Sequence, residues 1–175
     1  MTIEEMRNFA FSYIDKYSPS KQQVKTYLLK KYLKISNESV KKNDITDLIT
    51  LVTDDLEKTK FINDKFYSDS KAKNLIQRGS SINKIKNYLI SKGIKDKYIK
   101  ETISKIVEKN EDQDFFSAIK ICKKKRIGPA RTDNNRTLFY KKDISILARS
   151  GFDFETSKKI MEMEKDDYFR IIKFL

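Results

Sequence analysis

Residues Asn87–Ile99 read NYLISKGIKDKYI, and Ile146–Ile160 read ILARSGFDFETSKKI. Each sets a Leu four positions before a Gly that is followed by an apolar residue: Leu89, Gly93, Ile94 and Leu147, Gly151, Phe152. Two of the four glycines in this 175-residue chain thus share one local setting, 58 positions apart. Helices often end in a residue of left-handed conformation, which Gly adopts without a Cβ clash, and the apolar residue after it folds back onto the last turns. Ile94 is therefore expected against Leu89, and Phe152 against Leu147. A new helix follows each corner, with Asp96 or Asp153 as its N-cap.

The setting extends backwards. Ser81, Ile85 and Leu89 run along the helix before Gly93, and Ser20, Val24 and Leu28 repeat them 61 positions earlier. That earlier helix starts either at Ser18-Pro19, an N-cap followed by Pro, or at Ser20 in a capping box with Gln23; the pattern leaves both open. In this copy Tyr32 stands where the glycine would be, and the polar stretch KISNESVKKND predicts a longer loop. Further helices follow from apolar stripes at helical spacing. These are Met6, Phe9, Ala10, Tyr13 and Ile14; Ile45, Leu48, Ile49, Val52 and Leu56; Phe61, Phe66, Ala72, Leu75 and Ile76; Ile99, Ile103, Ile106 and Val107; and Phe115, Phe116, Ala118, Ile119 and Cys122. The aromatic residues at this spacing read as core. Strand-type alternation persists nowhere.

The expected fold is all-α, with three tandem three-helix repeats at 1–58, 59–110 and 111–165 and a C-terminal tail at 166–175. A unit of about 55 residues is marginal alone, so stacking should bury the faces each leaves open and give an elongated array.

Composition excludes several chemistries. With no His and one Cys, Cys122, the chain cannot assemble a Ser-His-Asp triad, a Cys-His pair or the usual zinc sites. A lone Cys forms no internal disulfide, which suits a reducing cytoplasmic setting. No apolar run reaches the length of a membrane span, the start MTIEEMRNF does not read as a signal peptide, and no phosphate-binding glycine loop occurs. No catalytic residue, cofactor or metal is expected, and the default is a monomeric binding protein rather than an enzyme. Asp54-Asp55 is the paired carboxylate considered for metal chemistry.

Charge is distributed unevenly. The net charge is +13, from 38 basic and 25 acidic residues. Lys16–Asn37 holds six basic residues and no acidic one, and Ser70–Lys95 holds seven and none. Phe115–Phe152 holds ten against two, Asp133 and Asp143. Each window contains the middle helix of one repeat, so stacking would align them into one cationic face fit for phosphates or an acidic protein surface. The densest part, KICKKKRIGPAR from Lys120 to Arg131, reads as a helix running into a turn. Arg126, Arg131 and Arg136 near that turn have the bidentate geometry that suits phosphate or carboxylate.

The same residues carry a family resemblance. FINDKFYSDSKAKNLIQRGSSINKIKNYLISKGIKDKYI resembles the central repeat of the bacterial RecX regulators of the RecA recombinase, through Asn63-Asp64-Lys65-Phe66, Gly79-Ser80 and the Leu89, Lys92-Gly93-Ile94 corner. KKKRIGPARTDNNRTLFYKKDISILARSGFDFETSKKIM resembles the third repeat of alphaproteobacterial members, where a basic run leads into Gly-Pro and then Leu-Ala-Arg-x-Gly-Phe. The first repeat matches more loosely, through Ala10, Tyr13 and Ser20 to Leu28. Two departures stand out: Asn63-Asp64 replaces an Asp-Asp pair, and the first repeat lacks its glycine corner.

The resemblance implies a curved, elongated body of three such repeats that lies in the groove of the RecA–DNA filament and limits filament extension, strand exchange and co-protease action. It also implies weak, non-specific binding to single- or double-stranded DNA. Contacts chosen by charge and element are Arg78, Lys84, Lys86, Lys92, Lys123, Lys124, Lys125, Arg126, Arg131 and Arg149. The competing reading is a sequence-independent DNA-binding protein that acts without touching RecA. A helix-turn-helix at Ser80–Ile103 is a weaker third, because packing accounts for its corner.

Overall fold

The computed structural model describes residues 2–35 and 42–175. The described residues are helical, without a strand: α1 (Ile3–Tyr17), α2 (Lys21–Ile35), α3 (Lys42–Lys58), α4 (Asp64–Gln77), α5 (Ile82–Ser91), α6 (Asp96–Lys109), α7 (Gln113–Lys125), a 3-10 turn at Gly128–Ala130, α8 (Asp133–Leu138), α9 (Tyr140–Arg149), α10 (Phe154–Met161) and α11 (Lys165–Ile172). The loop expected after Tyr32 falls largely on residues 36–41, outside the described residues. The helix itself continues through Tyr32 to Ile35.

Capping explains where the helices begin. Thr2 and Glu5 form a reciprocal box at α1: the Glu5 N–H donates to Thr2 Oγ1 at 3.2 Å and the Thr2 N–H to Glu5 Oε2 at 2.7 Å. At α2 the two open possibilities resolve in favour of Ser20. Its hydroxyl accepts from the Gln23 N–H at 3.3 Å, and its own N–H donates to Gln23 Oε1 at 3.0 Å. Ser18 instead ends α1, in the left-handed conformation at φ 43°. Asn63 caps α4 by accepting from the Phe66 N–H at 2.9 Å, so the Asn at this position keeps the capping role. Asp153 caps α10, accepting from the Thr156 N–H at 2.6 Å. Asp96 does not take the equivalent place: it is the first helical residue of α6, and the cap position falls on Lys95.

Both glycine corners form as expected. Ile94 donates its N–H to the Leu89 carbonyl at 3.1 Å, and Phe152 to the Leu147 carbonyl at 3.3 Å. Gly93 and Gly151 have φ of 71° and 89°. These are the bonds that close a helix end when the following residue turns back.

Two compact units result: residues up to Asp69 with Leu89–Ile99, and Ser70–Tyr88 with Lys100–Leu175. In the first, α1, α2 and α3 pack on one another around Met6, Ala10, Val24, Leu28, Ile45, Ile49, Val52, Leu56 and Ile62. Burying each large aliphatic side chain here contributes about 1.5–3 kcal/mol. In the second, α7, α9, α10 and α11 surround Ala118, Ile119, Cys122, Ile127, Leu147, Phe152, Ile160, Met161 and Tyr168. The stretch read as a tail is therefore largely helix, anchored by Tyr168 at 1% exposure. Four residues of the predicted stripes face outward instead, Val107 at the end of α6 among them. Phe66 is 67% exposed while its neighbour Tyr67 is buried, Phe61 lies on the surface edge-on to Phe11, and Leu48 is also exposed.

One junction occurs twice. In the first unit the buried Ser20 hydroxyl donates to the Lys92 carbonyl at 2.8 Å, and the Lys21 N–H at the start of α2 donates to Asp64 Oδ1 at 2.8 Å. In the second unit the buried Ser81 hydroxyl donates to the Ser150 carbonyl at 3.0 Å, and the Ile82 N–H at the start of α5 donates to Asp114 Oδ1 at 2.7 Å. The residue just before each glycine corner thus receives a hydroxyl from the start of an earlier helix, and a carboxylate from a third helix satisfies that start. The approach is close enough to require glycine. A Cβ on Gly93 would lie 2.5 Å from Gln22 Cβ, and one on Gly151 would lie 2.4 Å from Ser81 Oγ.

Candidate functional site

Helix α7 buries Ala118, Ile119 and Cys122 on its inner side. Lys120, Lys123 and Lys124, spaced i, i+3, i+4, share another face. Beyond Lys125 the chain turns through Arg126, left-handed at φ 54°, and the Ile127 N–H closes the corner on the Cys122 carbonyl at 3.2 Å. Lys123, Lys124, Lys125 and Arg126 are all exposed.

The fold brings Arg78, at the end of α4, beside this face. A groove of about 610 Å³ is lined by Gln77, Arg78, Lys120, Lys123, Lys124, Ile172 and Leu175. It gathers four cationic side chains and no acidic side chain, and Ile172 and Leu175 supply an aliphatic wall. Such a concentration of one sign in a concave surface focuses the field on anions. A second, more apolar groove of about 430 Å³ shares Lys120 and Leu175 and adds Phe116, Ile171 and Phe174. Lys120 belongs to the groove although it is not among the contacts chosen from the sequence. Its spacing to Lys123 and Lys124 was the available signal; Ile172 and Leu175 had none.

The other chosen residues divide. Lys84 and Lys86 are exposed on α5, and Arg149 is exposed at the end of α9, its Nε donating to the Ser145 carbonyl at 3.2 Å. The corner after Arg149 packs on the first turn of α5, where a Cβ on Gly151 would meet Lys84 Cβ at 3.4 Å. Lys92 lies in the first unit, half-buried.

Arg131 is occupied internally. Its Nε and one terminal nitrogen donate to Asp143 at 2.6 and 2.9 Å, and the fully buried Asp143 also accepts from the Gly128 N–H at 2.9 Å. The hydrogen bond to Asp143 raises the Arg131 guanidinium above its ordinary range. Arg136 likewise turns inward and donates to the Met161 carbonyl at 2.6 Å and to the Met163 carbonyl, closing the end of α10. Of the three arginines near the turn, Arg126 alone is presented to solvent.

Burial pushes the Cys122 thiol up to about 12, which removes it as a nucleophile. Asp54 and Asp55 are each engaged by a cation: Asp54 pairs with Lys21 at 2.7 Å and Asp55 with Arg7 at 2.9 Å. The hydrogen bond from Lys21 holds the Asp54 carboxyl below its usual range. Among the described residues no group of three or more His, Cys, Asp or Glu could hold a metal ion, and no helix is long and apolar enough to cross a membrane.

The chain is similar to Regulatory protein RecX of Myxococcus xanthus (strain DK1622), 27% identical over 160 residues that cover 90% of this chain and 84% of that protein. No family model matches, and no solved structure matches. The resemblance to the RecX family therefore extends along nearly the whole chain.

Proposed function

We propose that this chain, which resembles the RecX regulators over nine-tenths of its length, is a non-catalytic modulator that binds RecA–DNA filaments and restrains RecA activity. The observation that carries this reading is the groove of Arg78, Lys120, Lys123 and Lys124 with its aliphatic wall. Cations beside Ile172 and Leu175 suit a protein surface of carboxylates and apolar side chains better than a bare phosphate backbone, which has no apolar groups to offer. Lys125 and Arg126 extend the contact around the corner.

The architecture in this proposal is three tandem three-helix repeats: α1–α3, α4–α6 and α7 with α9 and α10. The matched junctions support it, because Ser20 and Ser81 play one role two repeats running. In the third repeat the Gly-Pro motif forms the 3-10 turn, the polar stretch after it forms α8, and α11 closes the core. Lys84, Lys86 and Arg149 then provide further contacts along the cationic face.

The test is ATP turnover by RecA on single-stranded DNA. The wild-type chain should inhibit it, and replacing Lys123, Lys124, Lys125 and Arg126 with Ala should abolish most of that inhibition without loss of helical content. Inhibition unchanged by the four substitutions would reject the cluster as the contact. A salt titration separates the competing DNA-only reading, in which log K falls by about 0.9 per phosphate for each unit of log salt on duplex DNA. Inhibition that vanishes with DNA affinity as salt rises would favour that reading.

A further inference from the structure

The cationic groove of the second unit does not stand alone. At Lys120 and Leu175 it meets the more apolar groove, which Phe116, Ile171 and Phe174 line together with the side-chain amides of Asn110 and Gln113. Among the described residues no acidic side chain lines either groove. Phe116, Lys120 and Lys124 stand at i, i+4 and i+8 on α7, so one helix face carries an aromatic ring, then a cation, then a second cation. Eight residues of helix rise about 12 Å, the reach of about four residues of extended chain. Phe174 is 91% exposed and Leu175 45%, which leaves the apolar half open to solvent beside the charged half.

We propose that the two grooves together bind a linear peptide segment in which a run of acidic residues adjoins large apolar ones. The acidic run lies on Arg78, Lys120, Lys123 and Lys124, and the apolar side chains enter between Phe116, Ile171 and Phe174. Charge complementarity selects the first half of such a segment and removal of apolar surface from water selects the second. The halves are close enough for neighbouring residues of one peptide to supply both. A duplex backbone would match the cations and leave the two phenylalanine rings in water, and a wholly apolar helix would leave the cations without partners. On the reading that this groove meets protein, which the proposal rests on, the recognised element is a short segment that binds by itself, without the partner's fold or a filament.

The experiment is fluorescence anisotropy of the full chain with a labelled peptide of four Asp joined to Leu-Phe-Leu, made in both chain orders, and with a control whose apolar residues are Ser. The apolar peptide should bind roughly 10-fold or more tightly than the control in one order at least. Phe174→Ser and Phe116→Ala should each weaken it roughly 5- to 30-fold and leave the control unchanged. Lys120→Ala with Lys124→Ala should weaken both peptides and flatten their dependence on salt. Circular dichroism checks folding, and Phe174→Ser, at a side chain outside the core, decides the matter if Phe116→Ala does not fold. Equal affinity for peptide and control, or binding indifferent to both phenylalanine substitutions, overturns the proposal. So does an oligothymidylate that binds more tightly than the peptide and loses affinity in Phe174→Ser, since unpaired bases would then own the apolar half. RecA ATP turnover separates the two readings of the groove. Inhibition lost on replacing Lys123, Lys124, Lys125 and Arg126 with Ala, while wild type binds no peptide, overturns this proposal alone; peptide bound, with inhibition unchanged by those substitutions, upholds it and overturns the filament contact.

Discussion

Replacing Gly151 with Ala tests the junction directly. The backbone there has φ 89°, where an L side chain costs about 1–2 kcal/mol. The new Cβ would sit 2.4 Å from Ser81 Oγ, a contact that cannot persist, so the hydroxyl must move. Moving it breaks its bond to the Ser150 carbonyl at 3.0 Å and the bond it accepts from the Lys84 N–H at 3.1 Å. Both lie in a part-buried or buried setting, and stranding such groups costs about 1–2 kcal/mol more. The expected loss is thus about 2–4 kcal/mol, equivalent to a fall in Tm of roughly 5–15 °C for a chain of this size. Thermal and urea unfolding followed by circular dichroism measure it. Ser81→Ala removes the obstructing oxygen, so Gly151→Ala in that background should cost only the backbone strain, about 1–2 kcal/mol. A cost of Gly151→Ala below about 0.5 kcal/mol, or strict additivity of the two substitutions, would refute the reasoning.

Three further outcomes are expected. Arg131→Met leaves Asp143 charged and fully buried without its cation, and should destabilise the chain by about 3 kcal/mol or more, read from urea unfolding. Asp114→Asn should change the pH dependence of stability. Burial raises the Asp114 carboxyl above its ordinary 3.8 even though the Ile82 N–H opposes the shift, so the folded state binds the proton more tightly than the unfolded one. Its contribution is fully present below 3.8 and is lost as pH rises through the higher folded value. The stability of wild type relative to Asp114→Asn, measured by urea unfolding, should therefore grow as pH is lowered from about 6 toward 4. Cys122 should resist a thiol-reactive chromophore in the native protein and react at once in denaturant, since burial both hides it and keeps it protonated.

Much of the fold was legible because helix ends obey local rules. Gly93 and Gly151 announced their corners through backbone sterics and one apolar neighbour, and both corners closed on the expected Leu. The stripes of α1 and α3 placed most core residues, since a helical period maps directly onto a buried face. Phe66 escaped this logic because its neighbour Tyr67 takes the inward direction, a choice set by packing and not by spacing. α11 had too short a stripe to separate from a frayed end, and its burial depends on Tyr168 meeting the second core.

The candidate site was legible as charge but not as geometry. Lys123, Lys124 and Arg78 were chosen from different helices, and tertiary packing alone could bring them to one groove. Arg131 looked as available as Arg126, yet Asp143 lies twelve positions later and neutralises it. The Asp143 side chain was one of two acids in a basic window, and its rarity there was the only trace of an internal partner. Tyr13 was placed in the core by its helical spacing and packs against the first core, and Tyr27, outside any stripe, joins it by stacking on Tyr13.

The junction that occurs twice has a consequence for synthesis on the ribosome. Ser20 finds its acceptor 72 positions further along, and Ser81 finds its own 69 positions further. An emerging chain consequently cannot close either junction until the later glycine corner has been made. Truncation between either serine and its glycine corner would therefore injure the helix start upstream of the cut, and each junction would close only after its carboxyl-side partner has emerged.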